Sequence, residues 1–268
     1  MRKFLSRLKE QIITLGGFRS GFSLFILGHH FNVGYSLRSK QPDRDYAVIL
    51  QLAKGKQCIF DVGANHGIIS LLLASSNPKA FIHAFEASEE AVNIINKNIY
   101  LNDLSPNVRV INTLVADRSG YAIPFYSEGS SGGASIVKGR LGHNVEIYKS
   151  TLSLDDYVSS AKATPDFIKM DIEGAENIAI KGMKDILRNF RPTIFIELHE
   201  FQEKKLYENA QDILDFVSPM HYLMVYLRTG KPIENATVLK DRGRCHVVLL
   251  PQEKYSASVF ESLDLQGL

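Results

Sequence analysis

The sequence predicts one α/β domain built on a mostly parallel sheet with helices on both faces. Three observations lead there. From about residue 42 to 217, short apolar runs of strand length alternate with runs of helical periodicity. Two of the early strand-like runs end in a carboxylate next to a turn, at Asp61 and Glu86. The chain has 268 residues, more than one minimal domain and less than two full ones at roughly 150 residues each. Its 45% hydrophobic content is enough for a core. The 31 basic and 29 acidic residues nearly cancel, leaving +2. That balance argues against disorder and against binding driven by a basic field, so nucleic acid is not the expected partner.

The elements follow in order. Residues 1–41 read as an N-terminal helical extension and residues 42–268 as the main domain. In residues 1–15, Arg2, Lys3, Arg7 and Lys9 interrupt Phe4, Leu5, Leu8, Ile12, Ile13 and Leu15 at helical spacing. This suits an amphipathic helix docked on the domain or on an anionic membrane surface, and not a cleaved signal peptide. Residues 22–27 are apolar, but Gly28, His29 and His30 stop the run. A transmembrane span needs about 18 apolar residues, and none is expected.

Pro42 and Asp43 start a helix with apolar face Tyr46, Val48, Ile49, Leu50 and Leu52, and Gly55 ends it. Cys58 to Val62 is a buried strand, Gly67 to Ser75 a helix, and Ala80 to Phe85 a second strand. A helix over 88–101 takes Ser88 as its cap. Val108 to Leu114 is a third strand. The rhythm resumes with a strand at Phe167 to Asp171, a helix over 175–188, a strand at Thr193 to Leu198 and a helix over 203–217. Tyr222 to Leu227 and Cys245 to Leu250 suit an antiparallel pair at one edge. Residues 119–154 break the rhythm. Their stretch Ser127 to Gly133 is either a surface loop or a lid, with Tyr126, Lys138, Arg140, His143 and Tyr148 nearby to touch a sugar. Cys58 and Cys245 read as small core residues of a reducing, cytoplasmic protein.

The first chemical signal is Asp61-Val62-Gly63-Ala64-Asn65-His66-Gly67, a strand end, a glycine turn and a helix start. In an open parallel sheet, ligands bind at the carboxyl ends of the strands. Glu86 ends the next strand, where a carboxylate can grip the two hydroxyls of a ribose. A dinucleotide loop would read G-x-G-x-x-G and face a pyrophosphate. Here Asp61 precedes the glycines, which suits a cationic or amine-bearing ligand. S-adenosylmethionine carries an amine, a sulfonium and a ribose, and no phosphate. Ala116 and Asp117 follow the third strand, where an adenine would rest. Asp117 is there either an acceptor for the exocyclic amine or a solvated loop aspartate. A nicotinamide-dependent oxidoreductase and a non-catalytic nucleotide-binding module stand as the alternatives.

The second signal is the run Asp166 to Glu176, DFIKMDIEGAE. Lys169 and Asp171 share a strand face. A lysine in a covered strand is costly unless paired, and Asp171 is the expected partner. Glu173 sits in the turn and Glu176 opens a helix. Glu197 and His199 share a face of the next strand. Asp171, Glu173, Glu197 and His199 are thus expected at one rim. A carboxylate or the histidine there would take a proton from an acceptor hydroxyl. No metal is assigned; the variant reading would place a divalent ion on Asp171, Glu197 and His199. The bland alternative is an ion-paired network that fixes loops.

These strings resemble the FkbM family of S-adenosylmethionine-dependent methyltransferases. The resemblance is carried by DVGANHG at 61–67, AFEAS at 84–88, TLSLDDY at 151–157, DFIKMDIEGAE at 166–176, Lys181-Gly182 and IFIELHE at 194–200. It implies the class I methyltransferase fold, a Rossmann-like seven-stranded sheet with the last strand antiparallel. It implies methyl transfer to an oxygen, often a hydroxyl of a sugar, glycan or natural product. By this resemblance Asp61, Gly63, Asn65 and Gly67 would hold the methionine part, Glu86 the ribose, and Asp117 would lie at the adenine. The turn from Asp171 to Glu176 would face the acceptor. Residues 1–40 and 201–268 match only loosely, and there the acceptor is expected to be chosen. Self-association into a homo-oligomer stays open.

Overall fold

The structure is a computed structural model that describes residues 21–126, 146–200, 204–263 and 265. The helix expected over 1–15, the Ser127 to Gly133 stretch, and Lys138, Arg140 and His143 lie outside the described residues.

The described part of the N-terminal extension is mainly extended, with one 3-10 turn at Tyr35–Leu37. β1 (Phe22–Ile26) and β2 (His29–Val33) form an antiparallel hairpin. Leu27 and Gly28 make its two-residue turn, both with positive φ (48° and 81°), the backbone that matches the twist of paired strands. Gly28 thus reverses the chain where the apolar run reads as merely stopping. Leu24, Ile26, Phe31 and Val33 alternate onto the buried face.

The main domain follows the expected rhythm. α1 (Arg44–Leu52) leads to β3 (Cys58–Val62), α2 (Ile68–Ser76), β4 (Phe81–Glu86), α3 (Glu89–Leu101) and β5 (Val108–Asn112). The Ser88 side chain caps α3 by accepting from the Ala91 N–H. The third expected strand breaks at Thr113. Its end, β6 (Leu114–Val115), joins a small sheet with β7 (Ala122–Tyr126) and β8 (Glu146–Leu152). α4 (Leu154–Ala161) then precedes β9 (Phe167–Met170). The helix expected over 175–188 is two: α5 (Glu176–Lys181) and α6 (Lys184–Asn189). They part at Gly182, where an added Cβ would lie 2.2 Å from the Ala116 carbonyl oxygen. The rest is β10 (Thr193–His199), α7 (Leu206–Val217), β11 (Tyr222–Tyr226), β12 (Lys231–Ile233), β13 (Arg244–Pro251) and α8 (Ala257–Glu261).

The central sheet has the order β12-β11-β13-β10-β9-β3-β4-β5. β5, β4, β3, β9 and β10 are mutually parallel. β13 inserts antiparallel between β10 and β11. These are the seven expected strands with the last one reversed. β12 is an eighth, a three-residue edge strand holding Pro232, a residue tolerated at edges because it cannot donate to a neighbour.

Strand residues alternate between two apolar layers. Ile59, Phe167, Phe195 and Val248 face α1, α2, α3 and the hairpin. Phe60, Ile168, Ile196 and Leu249 face α4 to α7. One buried polar side chain joins the hairpin to the rim of the sheet. Asn98 on α3 accepts from the Gly34 N–H at 2.8 Å and donates to the His66 carbonyl at 2.9 Å. Asn98→Leu orphans both backbone groups and should cost about 3 kcal/mol in urea unfolding. Asn102→Ala, which loses exposed bonds to Asn32, should cost under about 1 kcal/mol.

Candidate active site

The parallel strands end together at one rim, and the first turn there is shaped by glycine. Gly63 has φ +76°, and an added Cβ would sit 1.8 Å from the Asp171 carbonyl oxygen. Glycine is required on both counts. The N–H groups of Gly63 and Ala64 both donate to the Phe85 carbonyl at 3.0 Å. Gly67, φ +83°, caps α2. Glu86 accepts from the Asn65 N–H on one oxygen and from the Ser88 N–H on the other, each at 2.8 Å. Burial pushes its carboxyl above the usual range, and these two backbone donors oppose the shift.

Asp61 lies behind this turn. It is fully buried and accepts a 2.5 Å hydrogen bond from Ser70 Oγ. Lys169, its direct neighbour across the β3–β9 pairing, stands 3.5 Å from Asp61 and 3.8 Å from Asp171. Its ammonium donates to the Gly63 carbonyl at 2.8 Å. The expected Lys169–Asp171 pair is present, and Asp61 is the nearer carboxylate. Burial opposes the charge on Lys169, but the two aspartates outweigh it and hold the ammonium protonated above its usual range.

The second cluster forms around His199. Its Nδ1 is 3.2 Å from Glu176 and 4.0 Å from Asp171. Its Nε2 is 3.4 Å from Glu197 and 3.7 Å from Glu173. Two residues absent from the sequence reading close the network. His246 pairs with Glu197 across β10–β13, and Arg244 with His199. Arg244 reaches Glu197 at 3.0 Å and His246 reaches it at 3.5 Å. The only sequence signal was two basic residues flanking Cys245, and the register that aims them is not local. A cavity of about 460 Å³ adjoins both clusters. Gly63, Ala64, Asn65, Asp171 and Glu197 line it from the sheet rim, and Asp45 and Tyr46 of α1 from the far side.

Ala116 and Asp117 stand apart from this cavity. The Ala116 N–H donates to the Leu152 carbonyl, and Gly182 packs against the Ala116 carbonyl. Asp117, exposed, pairs with Arg118 at 3.5 Å. The three groups of the variant metal reading are divided. Asp171 and His199 converge with Glu173, whereas Glu197 converges with Asp45 and His246. Lys169 and Arg244 already bring positive charge to these carboxylates.

Residues 61–224 match the profile of the methyltransferase FkbM domain, more than half of the chain. The chain belongs to the FkbM methyltransferase family. Among curated relatives, methyltransferase sdnD of Sordaria araneosa is 26% identical over 137 residues, covering 50% of this chain and 48% of that protein. The 2-O-methyltransferase NoeI of Sinorhizobium fredii is 28% identical over 177 residues, covering 60% of this chain and 70% of NoeI. The match thus spans about half the length of sdnD. The crystal structure of methyltransferase FkbM from Methylobacillus flagellatus KT superposes with a TM-score of 0.49 at 14% identity, covering 72% of this chain and 43% of that one.

In this FkbM domain the charges of the site set its response to pH. Burial opposes protonation of His199, but Glu176 and Glu197 outweigh it and raise the imidazole to about 10. Burial raises Asp171 to about 7 against the pull of Lys169. Burial also disfavours the Glu197 anion, yet His199 and His246 hold it below the usual range. A folded-state pKa raised above the unfolded one gives stability that is lost as pH rises between the two. For Asp171 that loss runs from about 4 to 7, and for His199 from about 6.5 to 10. Urea-derived stability should therefore fall between pH 6.5 and 10, and His199→Gln should flatten that window. Lys169→Met leaves Asp61 buried without its cation and should cost about 3–5 kcal/mol, a loss that Asp61→Asn in the same chain should partly restore.

Proposed function

We propose that this FkbM domain is an S-adenosylmethionine-dependent O-methyltransferase acting on a hydroxyl of a sugar, glycan or natural-product acceptor. The observation that carries the reading is the glycine turn at Gly63, fixed by Lys169 and by Glu86, beside a cavity lined by carboxylates and basic side chains together. The residues fit the cofactor. Gly63, Ala64 and Asn65 bring the turn to the cavity wall, where Asp45, Asp171 and Glu197 can face a positively charged sulfur and Lys169 and Arg244 a carboxylate. Glu86 keeps acceptor lone pairs beyond its two amide partners for ribose hydroxyls. When bound, the cofactor supplies a methyl group on a cationic sulfur.

The chain's own residues then have three tasks. The turn at 63–67 and Glu86 hold the adenosyl and methionine parts. Asp61 does so indirectly, by keeping Lys169 on the Gly63 carbonyl. The cluster at the ends of β9 and β10 accepts the acceptor's proton, and the cavity walls orient the hydroxyl. An oxygen acceptor is also what the name of NoeI supports. Asp117 remains the candidate at the adenine edge, outside the cavity. No helix of the described residues is long and apolar enough to cross a membrane. With Cys58 and Cys245 both free, the reading places the reaction in the cytoplasm.

Calorimetric titration tests the cofactor. S-adenosylhomocysteine should bind, NAD should not, and Glu86→Gln should weaken the former at least about tenfold. Binding of NAD alone would sink the reading. A labelled-methyl screen over monosaccharides, their glycosides and hydroxylated aromatics, with and without chelator, then identifies the acceptor.

A further inference from the structure

His199 is 5% exposed, and both of its ring nitrogens face carboxylates. Nδ1 lies 3.2 Å from Glu176 and Nε2 lies 3.4 Å from Glu197. An ionised carboxylate can only accept, so Nδ1 donates to Glu176, and the carboxylates of Glu197 and Glu173 beside Nε2 favour a proton on that nitrogen too. A ring protonated on both nitrogens has no lone pair left with which to take a proton.

The surrounding carboxylates are mostly engaged as well. Glu176 Oε1 also accepts from the N–H groups of Ile172 and Gly174. Glu197 holds Arg244 on one oxygen and faces His246 with the other. Glu173 has a further partner of its own. Asp171 differs. Its Oδ1 is buried without a hydrogen bond, 4.0 Å from His199. Its Oδ2 is 3.8 Å from Lys169. Asp171 also lines the cavity beside Gly63, with Asp45 of α1 on the other wall and Asp61 beyond Lys169.

We propose that His199 is a fixed cation, a positioning residue for the turn 171–176, and that Asp171 is the group that exchanges protons at the cavity. What proton it takes rests on the methyltransferase reading: that of the acceptor hydroxyl. The acceptor's O–H bond breaks and its proton passes to the Asp171 carboxylate at Oδ2, the oxygen that is not shut off from the cavity. The acceptor oxygen bonds to the methyl carbon as the carbon–sulfur bond breaks, leaving its electron pair on sulfur. The positive charge lost from sulfur matches the proton gained by the carboxylate, and that proton then leaves to water. Burial, which raises Asp171 to about 7, keeps the proton exchangeable near neutrality.

Nuclear magnetic resonance on the labelled full chain tests this without an identified acceptor. The His199 ring nitrogens, assigned by their loss in His199→Gln, should keep imidazolium shifts from about pH 6 to pH 9, beyond the ordinary histidine range. The side-chain carboxyl signal lost in Asp171→Asn should titrate within that same range. In His199→Gln that carboxyl titration should move up by about one unit, because a neighbouring cation is gone; a histidine with a merely structural role would leave it in place. A His199 ring that titrates near its ordinary value overturns the proposal, and so does an Asp171 carboxyl that stays ionised throughout. A shift of the ring nitrogens on adding Zn²⁺ or Mg²⁺ also overturns it, since the ring would then be a ligand. Failure of the wild-type chain to bind S-adenosylhomocysteine removes the methyltransferase reading, while the two titrations still decide the proton assignment.

Discussion

A buried lysine organises the rim of this sheet. Lys169 would be intolerable in a covered strand if it stood alone. It is tolerated because Asp61 lies beside it on the next strand, Asp171 two residues ahead, and the Gly63 carbonyl within hydrogen-bond reach. One ammonium therefore fixes the strand pairing, the glycine turn and the start of the acidic turn together. Ser70 anchors Asp61 from α2, so the helix that follows the glycine turn is tied to the same charge. The arrangement leaves little freedom in the backbone at Gly63, where the Asp171 carbonyl closes the space above it.

Much of this was legible in the sequence, for local reasons. Strand runs such as Cys58 to Val62 are short, apolar and bounded by turn residues, and they form where expected. The pairing of Lys169 followed from the cost of burying a charge. The convergence of Asp171, Glu173, Glu197 and His199 followed from parallel strands ending at one rim. What was not legible depends on long-range register. Arg244 and His246 reach Glu197 only because β13 runs antiparallel beside β10. Asp61 reads as a ligand-facing carboxylate, but its place behind the turn is set by Ser70 and Lys169 together. The hairpin β1–β2 hid behind an apolar run too short to show whether it ended or reversed.

The near-neutral total charge conceals a strongly polarised interior. Around His199 the carboxylates outnumber the cations, and the structure manages the excess by sharing. Glu197 serves His199, His246 and Arg244, and Glu176 serves His199 and two backbone N–H groups. Such networks gain specificity of geometry more than stability, because each member is desolvated. The positions of Asp171 and Glu197 at the cavity wall are thus held by their neighbours before any ligand arrives, which lowers the reorganisation required on binding.

The place of β13 has a consequence for how the molecule comes into being on the ribosome. β10 is synthesised some fifty residues before the strand that covers its open edge, with β11 emerging in between. Until β13 has been made, the edge of β10 away from β9 lacks its partner, Glu197 lacks Arg244 and His246, and β11 has no strand linking it to β10. The nascent chain therefore passes through an interval with an exposed apolar strand edge, the state in which sheets are prone to pair wrongly. Completion of the charged site and closure of that edge are the same event, so a chain released early is left without either.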